Sequence, residues 1–127
     1  MGNAAAGRLI VVVDDDPSIV EGLGMILETW GYDVLTAQSA EELSGSLGTL
    51  TEPPALVLAD HFLPGGHTGA DVVAMVRRHC NATVPAIVLT GDTTPERRAE
   101  ADAAGCRLLH KPVLPNALKA AVEDLIA

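Results

Sequence analysis

Short apolar runs alternate five times with segments of helical periodicity along this chain of 127 residues. The first run, Leu9–Val13, is mostly β-branched and uninterrupted, which is typical of a strand buried on both faces of a parallel sheet. The other predicted strands cover residues 33–37, 55–59, 86–90 and 108–110. An alternation of this kind predicts an α/β fold in which one parallel sheet has helices on both of its faces.

The predicted helices differ in how well their ends and their packing are specified. Ser18/Glu21 and Ser39/Glu42 have the spacing of capping boxes at the start of the first and second helices, and Asp16 is an alternative cap for the first. The fourth helix consists mostly of Ala, Glu and Arg. Because few large side chains anchor this helix, we expect it to shift easily.

Length and charge limit what the chain can be. We expect a disordered lead-in or cloning remnant at residues 1–7, followed by one domain at 8–127. The formal net charge of −9 opposes contact with nucleic-acid phosphates and anionic lipids, so direct DNA or RNA binding is not expected. No apolar run approaches the roughly 20 residues that span a bilayer. We expect a cytoplasmic protein without membrane insertion, in which Cys80 and Cys106 are reduced thiols that bind no metal.

Polar side chains collect where the predicted strands end. Asp14 and Asp15 follow the first strand, Asp60 follows the third, Thr90 ends the fourth, and Lys111 follows the fifth. Ligands bind at the carboxyl ends of the strands in open parallel sheets, so these side chains are expected to meet. Converging carboxylates raise one another's pKa unless a cation compensates. Mg²⁺ suits a site made of a few carboxylates, a phosphate and water.

These are the groups that phosphoryl transfer requires. Asp60 would be the nucleophile and would form an acyl phosphate. Thr90 would donate a hydroxyl hydrogen bond to one phosphoryl oxygen, and Lys111 would contact another as a mobile point charge. The metal ion would neutralise charge on the phosphoryl oxygens.

The sequence resembles the response-regulator receiver domains of two-component signalling from Arg8 to the end of the chain. Four motifs carry the resemblance, and they occur in the family's order: residues 12–17 (VVDDDP), residues 56–60 (LVLAD) with Pro64-Gly65, residues 87–91 (IVLTG), and residues 110–112 (HKP). The resemblance implies a flavodoxin-like, doubly wound (βα)5 sandwich of three layers, with five parallel strands in the order 2-1-3-4-5.

The resemblance also implies a role for each residue of the site. Asp60 would be the phosphoacceptor, and it would ligate Mg²⁺ together with Asp15 and the backbone carbonyl of Phe62. Asp14 would act mainly through water, and the bond between Lys111 and Pro112 would be cis. A histidine kinase or phosphotransfer domain would supply the phosphoryl group. The domain would not be a conventional enzyme, because it would catalyse only its own phosphorylation and slow dephosphorylation. It would signal by a change of shape, either as a monomer or as a weak homodimer.

A narrower resemblance and two departures qualify this picture. Residues 89–97 and 105–112 look like receivers at the C-terminus of hybrid sensor histidine kinases. Leu108 occupies a position where the family usually carries Tyr or Phe as part of its conformational switch. The loop at 64–69 is one residue longer than usual. We therefore expect the signal to travel by displacement of the loops and the fourth helix.

Two other functions compete with this interpretation. Residues 14–18 fit the start of the haloacid-dehalogenase-like phosphatases and 89–92 resemble their second motif, which would make Asp14 the nucleophile. That function leaves Asp60 unexplained and lacks an acidic motif after the lysine. A receiver-shaped interaction module that never takes phosphate is supported only by Leu108.

Overall fold

The structure, a computed structural model, describes residues 8–126, so the lead-in predicted at 1–7 lies outside the described residues. Within that range, five strands and five α-helices alternate. The strands are β1 (Leu9–Val13), β2 (Asp33–Ala37), β3 (Leu56–Asp60), β4 (Ala86–Thr90) and β5 (Arg107–His110). The helices are α1 (Pro17–Thr29), α2 (Ala40–Leu47), α3 (Gly69–Cys80), α4 (Pro95–Ala103) and α5 (Pro115–Ile126), and a short 3-10 turn spans Pro64–Gly66.

All neighbouring strands pair in parallel, in the order β2-β1-β3-β4-β5. The register places Val13 beside both Ala37 and Ala59, so the residues that follow β1 and β3 come out at the same edge of the sheet. Thr90 is in turn paired with His110, directly before Lys111. The predicted fold class and strand order are therefore confirmed.

Alternate residues of each central strand enter two separate cores. In β1, Val11 and Val13 face a core shared with α2, α3 and α4, whereas Ile10 and Val12 face a core shared with α1 and α5. Each of these four side chains is at most 1% exposed. Burial on both faces explains why the central strands are almost continuously apolar and why their polar residues appear only at the last position of the strand or after it.

The start of α1 differs from one of the two predicted arrangements. Asp16 is the cap, and its Oδ1 accepts hydrogen bonds from the backbone N of Ser18 at 2.9 Å and from the Ser18 hydroxyl at 2.7 Å. Pro17 occupies the first helical position, where its missing N–H costs nothing. The capping box assigned to Ser18 and Glu21 is wrong, because the helix begins one residue before Ser18.

The start of α2 agrees with the prediction in one half of the capping box. The Ser39 hydroxyl accepts a hydrogen bond from the backbone N of Glu42 at 3.0 Å. The carboxylate of Glu42, however, accepts from the backbone N of Gln38 at 3.2 Å and not from Ser39. The side chain still satisfies a free backbone donor at the helix entrance, one residue earlier than predicted.

The first and last described residues meet at the edge of the sheet where the strands begin. Nη1 of Arg8 donates to the carbonyl oxygen of Ile126 at 3.1 Å. This edge is opposite the one that carries the acidic residues. None of the described helices combines the length and the apolar character needed to cross a membrane.

Candidate functional site

Three carboxylates converge at the carboxyl edge of the sheet. Asp14 and Asp15 follow β1, and Asp60 is the last residue of β3. Carboxylate oxygens of all three lie within 4.8 Å of one another. Asp14 is 1% exposed, whereas Asp15 is open to solvent. An all-oxygen set with one side open to water fits a hard divalent cation such as Mg²⁺, which keeps several waters and binds one or two carboxylates.

Lys111 joins two of these acids. Its Nζ lies 3.0 Å from Oδ2 of Asp14 and 3.1 Å from Oδ1 of Asp60. The backbone N of Lys111 donates to the carbonyl oxygen of Thr90 at 2.7 Å, which fixes the start of the loop after β5. The peptide bond between Lys111 and Pro112 is cis, as the family resemblance implied. The structure therefore brings together Asp14, Asp15, Asp60 and Lys111.

Burial and neighbouring charges shift the pKa values of Asp60 and Lys111. Burial raises the pKa of Asp60; the hydrogen bond from Lys111 opposes that rise, and the nearby carboxylates of Asp14 and Asp15 add to it. Burial acts to lower the pKa of Lys111, but its hydrogen bonds to Asp14 and Asp60 outweigh burial and leave that pKa raised. Three carboxyl groups thus face one ammonium, which leaves an excess of negative charge for a cation to balance.

Thr90 lies beside the cluster but is hydrogen bonded elsewhere. It is 2% exposed, and its Oγ1 accepts from the backbone N of Asp92 at 3.1 Å and donates to the carbonyl oxygen of Asp92 at 3.2 Å. The hydroxyl is therefore held by the loop after β4. It must change partners before it can donate to a group attached to Asp60.

Phe62, whose carbonyl was assigned to the metal, lies in the loop after β3. Its ring is 65% exposed and packs edge-on against the buried ring of His61, with 4.4 Å between the ring centroids. Phe62 also forms an isolated antiparallel bridge with Thr68, just before α3. The longer loop between them contains Gly65 and Gly66 at φ angles of 78° and 79°. These left-handed conformations favour glycine and let the chain turn back between Phe62 and Thr68.

Two features of the site were not found from the sequence. A Cβ added to Gly69 would lie 2.7 Å from the carbonyl oxygen of Asp60, so the first residue of α3 fits directly against the backbone of the acid. The guanidinium carbon of Arg97, from α4, lies 5.5 Å from the centre of the Phe62 ring. The only signal for the first contact was the position of Gly69 directly after Thr68, which caps α3. The sequence carried no signal for the second contact.

The chain matches the family model described as "Response regulator receiver domain" over residues 10–123. The match covers nearly the whole chain, and the strand order and the acidic cluster agree with it. The chain therefore belongs to the response-regulator receiver family and is a receiver domain of two-component signalling.

Named relatives give the same assignment. The chain is 36% identical over 98 residues to the transcriptional regulatory protein KdpE of Mycobacterium tuberculosis, covering 76% of this chain and 41% of KdpE. It is 30% identical over 121 residues to the phosphate regulon transcriptional regulatory protein PhoB of Escherichia coli, covering 94% of this chain and 52% of PhoB. The chain thus spans about half the length of these curated relatives.

A solved structure of similar size confirms the fold. A response-regulator receiver domain protein from Clostridium thermocellum superposes with a TM-score of 0.82 at 27% identity, and the match covers 94% of each chain.

Proposed function

We propose that Asp60 is the residue that accepts a phosphoryl group from a phosphohistidine on a histidine kinase or a phosphotransfer domain. The observation that carries this proposal is the convergence of Asp14, Asp15 and Asp60 within 4.8 Å, with the ammonium of Lys111 at 3.1 Å from Asp60. Asp60 differs from Asp14 in facing the open side of the cluster, since its side chain is 13% exposed and that of Asp14 is 1% exposed. An incoming phosphohistidine can reach the more exposed acid.

In the proposed reaction a bond forms between a carboxylate oxygen of Asp60 and the phosphorus atom. The bond between the phosphorus and the imidazole nitrogen breaks, and the imidazole leaves and takes up a proton. Lys111 moves from Asp60 to a phosphoryl oxygen, while it keeps its charge because its pKa is raised. The Thr90 hydroxyl gives up its hydrogen bonds to Asp92 and donates a hydrogen bond to another phosphoryl oxygen.

Magnesium is the cofactor that fits the donor set. Asp15, Asp60 and the carbonyl of Phe62 would hold the ion directly, and Asp14 would act through water. When bound, the ion supplies neutralisation of charge on the phosphoryl oxygens. Asp60 later loses the phosphoryl group to water, so the domain reverses its own modification slowly and turns over no separate substrate.

Labelling with a small phosphodonor such as acetyl phosphate, in the presence of Mg²⁺, tests the assignment. The wild-type chain should gain one hydroxylamine-sensitive phosphate, and Asp60→Asn and chelation of Mg²⁺ should each abolish it. Asp16→Asn is the matched control, because Asp16 belongs to the same acidic triplet but caps α1, and it should retain the label. An acyl phosphate in Asp60→Asn, or a labelled peptide modified at Asp14, would contradict the assignment and favour the phosphatase-like alternative.

We assign residues 8–127 to one receiver domain and place it in the cytoplasm with its kinase. The motifs at 89–97 and 105–112 support a position at the C-terminus of a hybrid histidine kinase, whereas the curated relatives named above are transcriptional regulators. A net charge of −9 argues that this domain does not itself contact DNA. A kinase module encoded directly upstream in the same reading frame would support the hybrid arrangement, and a DNA-binding domain encoded downstream would contradict it. A weak homodimer would be detected by sedimentation as a mass that rises with concentration.

A further inference from the structure

Arg97 connects three parts of the molecule that border the site. Its guanidinium carbon lies 5.5 Å from the centre of the Phe62 ring, in the loop after β3. Its Nη2 lies 3.8 Å from Oδ2 of Asp92, in the loop after β4, and its Nη1 lies 3.2 Å from Oε2 of Glu100, within α4. The side chain is 21% exposed, so these contacts are made partly out of solvent. A charge in this position links both loops to the first turns of α4.

The guanidinium group of Arg97 has one N–H without a hydrogen-bond partner among the described residues. This N–H is at Nε, which is buried. Arg97 also borders a cavity of about 40 Å³ that is lined by His61 and Leu108. Leu108 is the position where the family resemblance implies that an aromatic side chain is usual. A buried donor without an acceptor raises the free energy of the conformation that contains it. Less free energy is therefore needed to move the Arg97 side chain when its surroundings change.

The helix that carries Arg97 is tied to α3 at its C-terminal end, whereas its start is bonded only to the loop before it among the described residues. Ala101 is its one buried residue. Beyond its last turn, Arg77 of α3 donates from Nη1 to the carbonyl oxygen of Ala104 at 2.7 Å and from Nη2 to that of Gly105 at 2.9 Å. These bonds fix the end of α4, while the start of the helix depends on Arg97 and its neighbours. Movement at the start therefore turns the helix about its fixed end.

We propose that Arg97 is the positioning residue that couples Thr90 to α4, in place of the aromatic residue that this chain lacks at Leu108. The inference rests on the proposed phosphorylation of Asp60. The path consists of contacts already formed: Thr90 holds Asp92 through two hydrogen bonds, and Asp92 faces Arg97. When the Thr90 hydroxyl turns to the phosphoryl group it releases Asp92, and the ion pair moves Arg97 and the first turn of α4.

Beryllofluoride with Mg²⁺, a stable stand-in for the phosphoryl group, tests this path by two-dimensional amide NMR. In the wild-type chain we expect shifts at Thr90 and Gly91, which report binding, and at residues 98–103 of α4, which report coupling. Arg97→Ala should keep the shifts at Thr90 and Gly91 and reduce those in α4 by about half or more. Arg97→Lys, which keeps the charge facing Asp92, should recover at least half of the lost response.

Arg98→Ala is the matched control, because Arg98 is exposed and lies on the same helix, and among the described residues its side chain bonds only to the carbonyl oxygen of Thr93. It should respond as the wild-type chain does. A full α4 response in Arg97→Ala would overturn the coupling role while leaving the proposed function intact. No recovery in Arg97→Lys would overturn the route through Asp92. No shift at Thr90 and Gly91 in the wild-type chain would instead overturn the proposed function, and the coupling role with it.

Discussion

Helices α3 and α4 cover the same face of the sheet but are attached to it very differently. Four residues of α3 are buried, and three of them are the large apolar Val72, Val73 and Val76. A complete capping box closes its start. Basic residues fill its last turn, where positive charge interacts favourably with the negative end of the helix dipole. Helix α4 buries only Ala101 and has no basic residue in its last turn.

The difference separates the two tasks of the domain. Helix α3 begins at Gly69, which fits against the carbonyl oxygen of Asp60 and so holds the proposed acceptor in place. Helix α4 begins a few residues after Thr90 and has little apolar contact to lose when it moves. Structural elements that respond to a ligand come from the least stable parts of a protein. In the proposed function, the chemistry would therefore depend on the firmly packed helix, and the signal on the weakly packed one.

The largest effect should come from shortening a buried side chain of α3. Val76 is 0% exposed, so Val76→Ala removes two buried methyl groups and leaves a cavity. We expect the free energy of unfolding to fall by about 2–3 kcal/mol. Urea titration followed by circular dichroism measures it. Arg98→Ala on the surface of α4 should change it by less than about 0.5 kcal/mol. Equal effects of the two substitutions would remove the distinction between the helices.

A smaller effect should distinguish the helices through one substitution made in each. Ala74 in α3 and Ala99 in α4 are both exposed, and each replacement by Gly costs roughly 0.5–1 kcal/mol of helix stability. Ala99→Gly should speed amide hydrogen exchange in α4 about two- to fivefold. Ala74→Gly should lower the global free energy of unfolding but leave exchange in α4 unchanged, because α4 opens without α3. Faster exchange in α4 of Ala74→Gly would show that the two helices open together.

The prediction with the smallest effect on stability concerns Cys106, which follows the fixed end of α4 and is tested through the reactivity of its thiol. Burial raises the pKa of its thiol, and the charge of Arg77 opposes that rise. A raised pKa leaves less thiolate at pH 8 and moves the rate curve for alkylation to higher pH. In the Cys80→Ser variant, iodoacetamide should modify the folded chain about tenfold more slowly than the urea-unfolded chain. Fast modification after addition of beryllofluoride would show that this end of α4 moves as well.

Most of the fold was predictable because the three central strands, β1, β3 and β4, are buried on both faces. The alternation of apolar runs predicted all five strands to within one residue. Strand β3 ends at Asp60, one residue later than predicted, and β5 begins at Arg107, one residue earlier than predicted. These differences arise because a strand ends where its pairing ends, and Asp60 still pairs with Leu89. Pairing of that kind is set by the neighbouring strand and not by the residue type.

The site was predictable where it depends on strand ends and not where it depends on side-chain partners. Asp14, Asp15, Asp60 and Lys111 meet because parallel strands deliver them to one edge. Thr90 was correctly placed at the end of β4, but its bonds to the next loop depend on the local turn. The contact between Arg97 and Phe62 joins segments 35 positions apart, and no spacing rule predicts such a pair.

The hydrogen bond between Arg8 and Ile126 brings both described ends of the chain to one point, at the edge farthest from the acids. A domain with adjacent ends can be spliced into a surface loop of a host protein without stretching either connection. Its reactive edge would then face outward, away from the junctions. Such a chimera would carry a chemically addressable module whose attachment points lie at the edge of the sheet opposite the acidic residues.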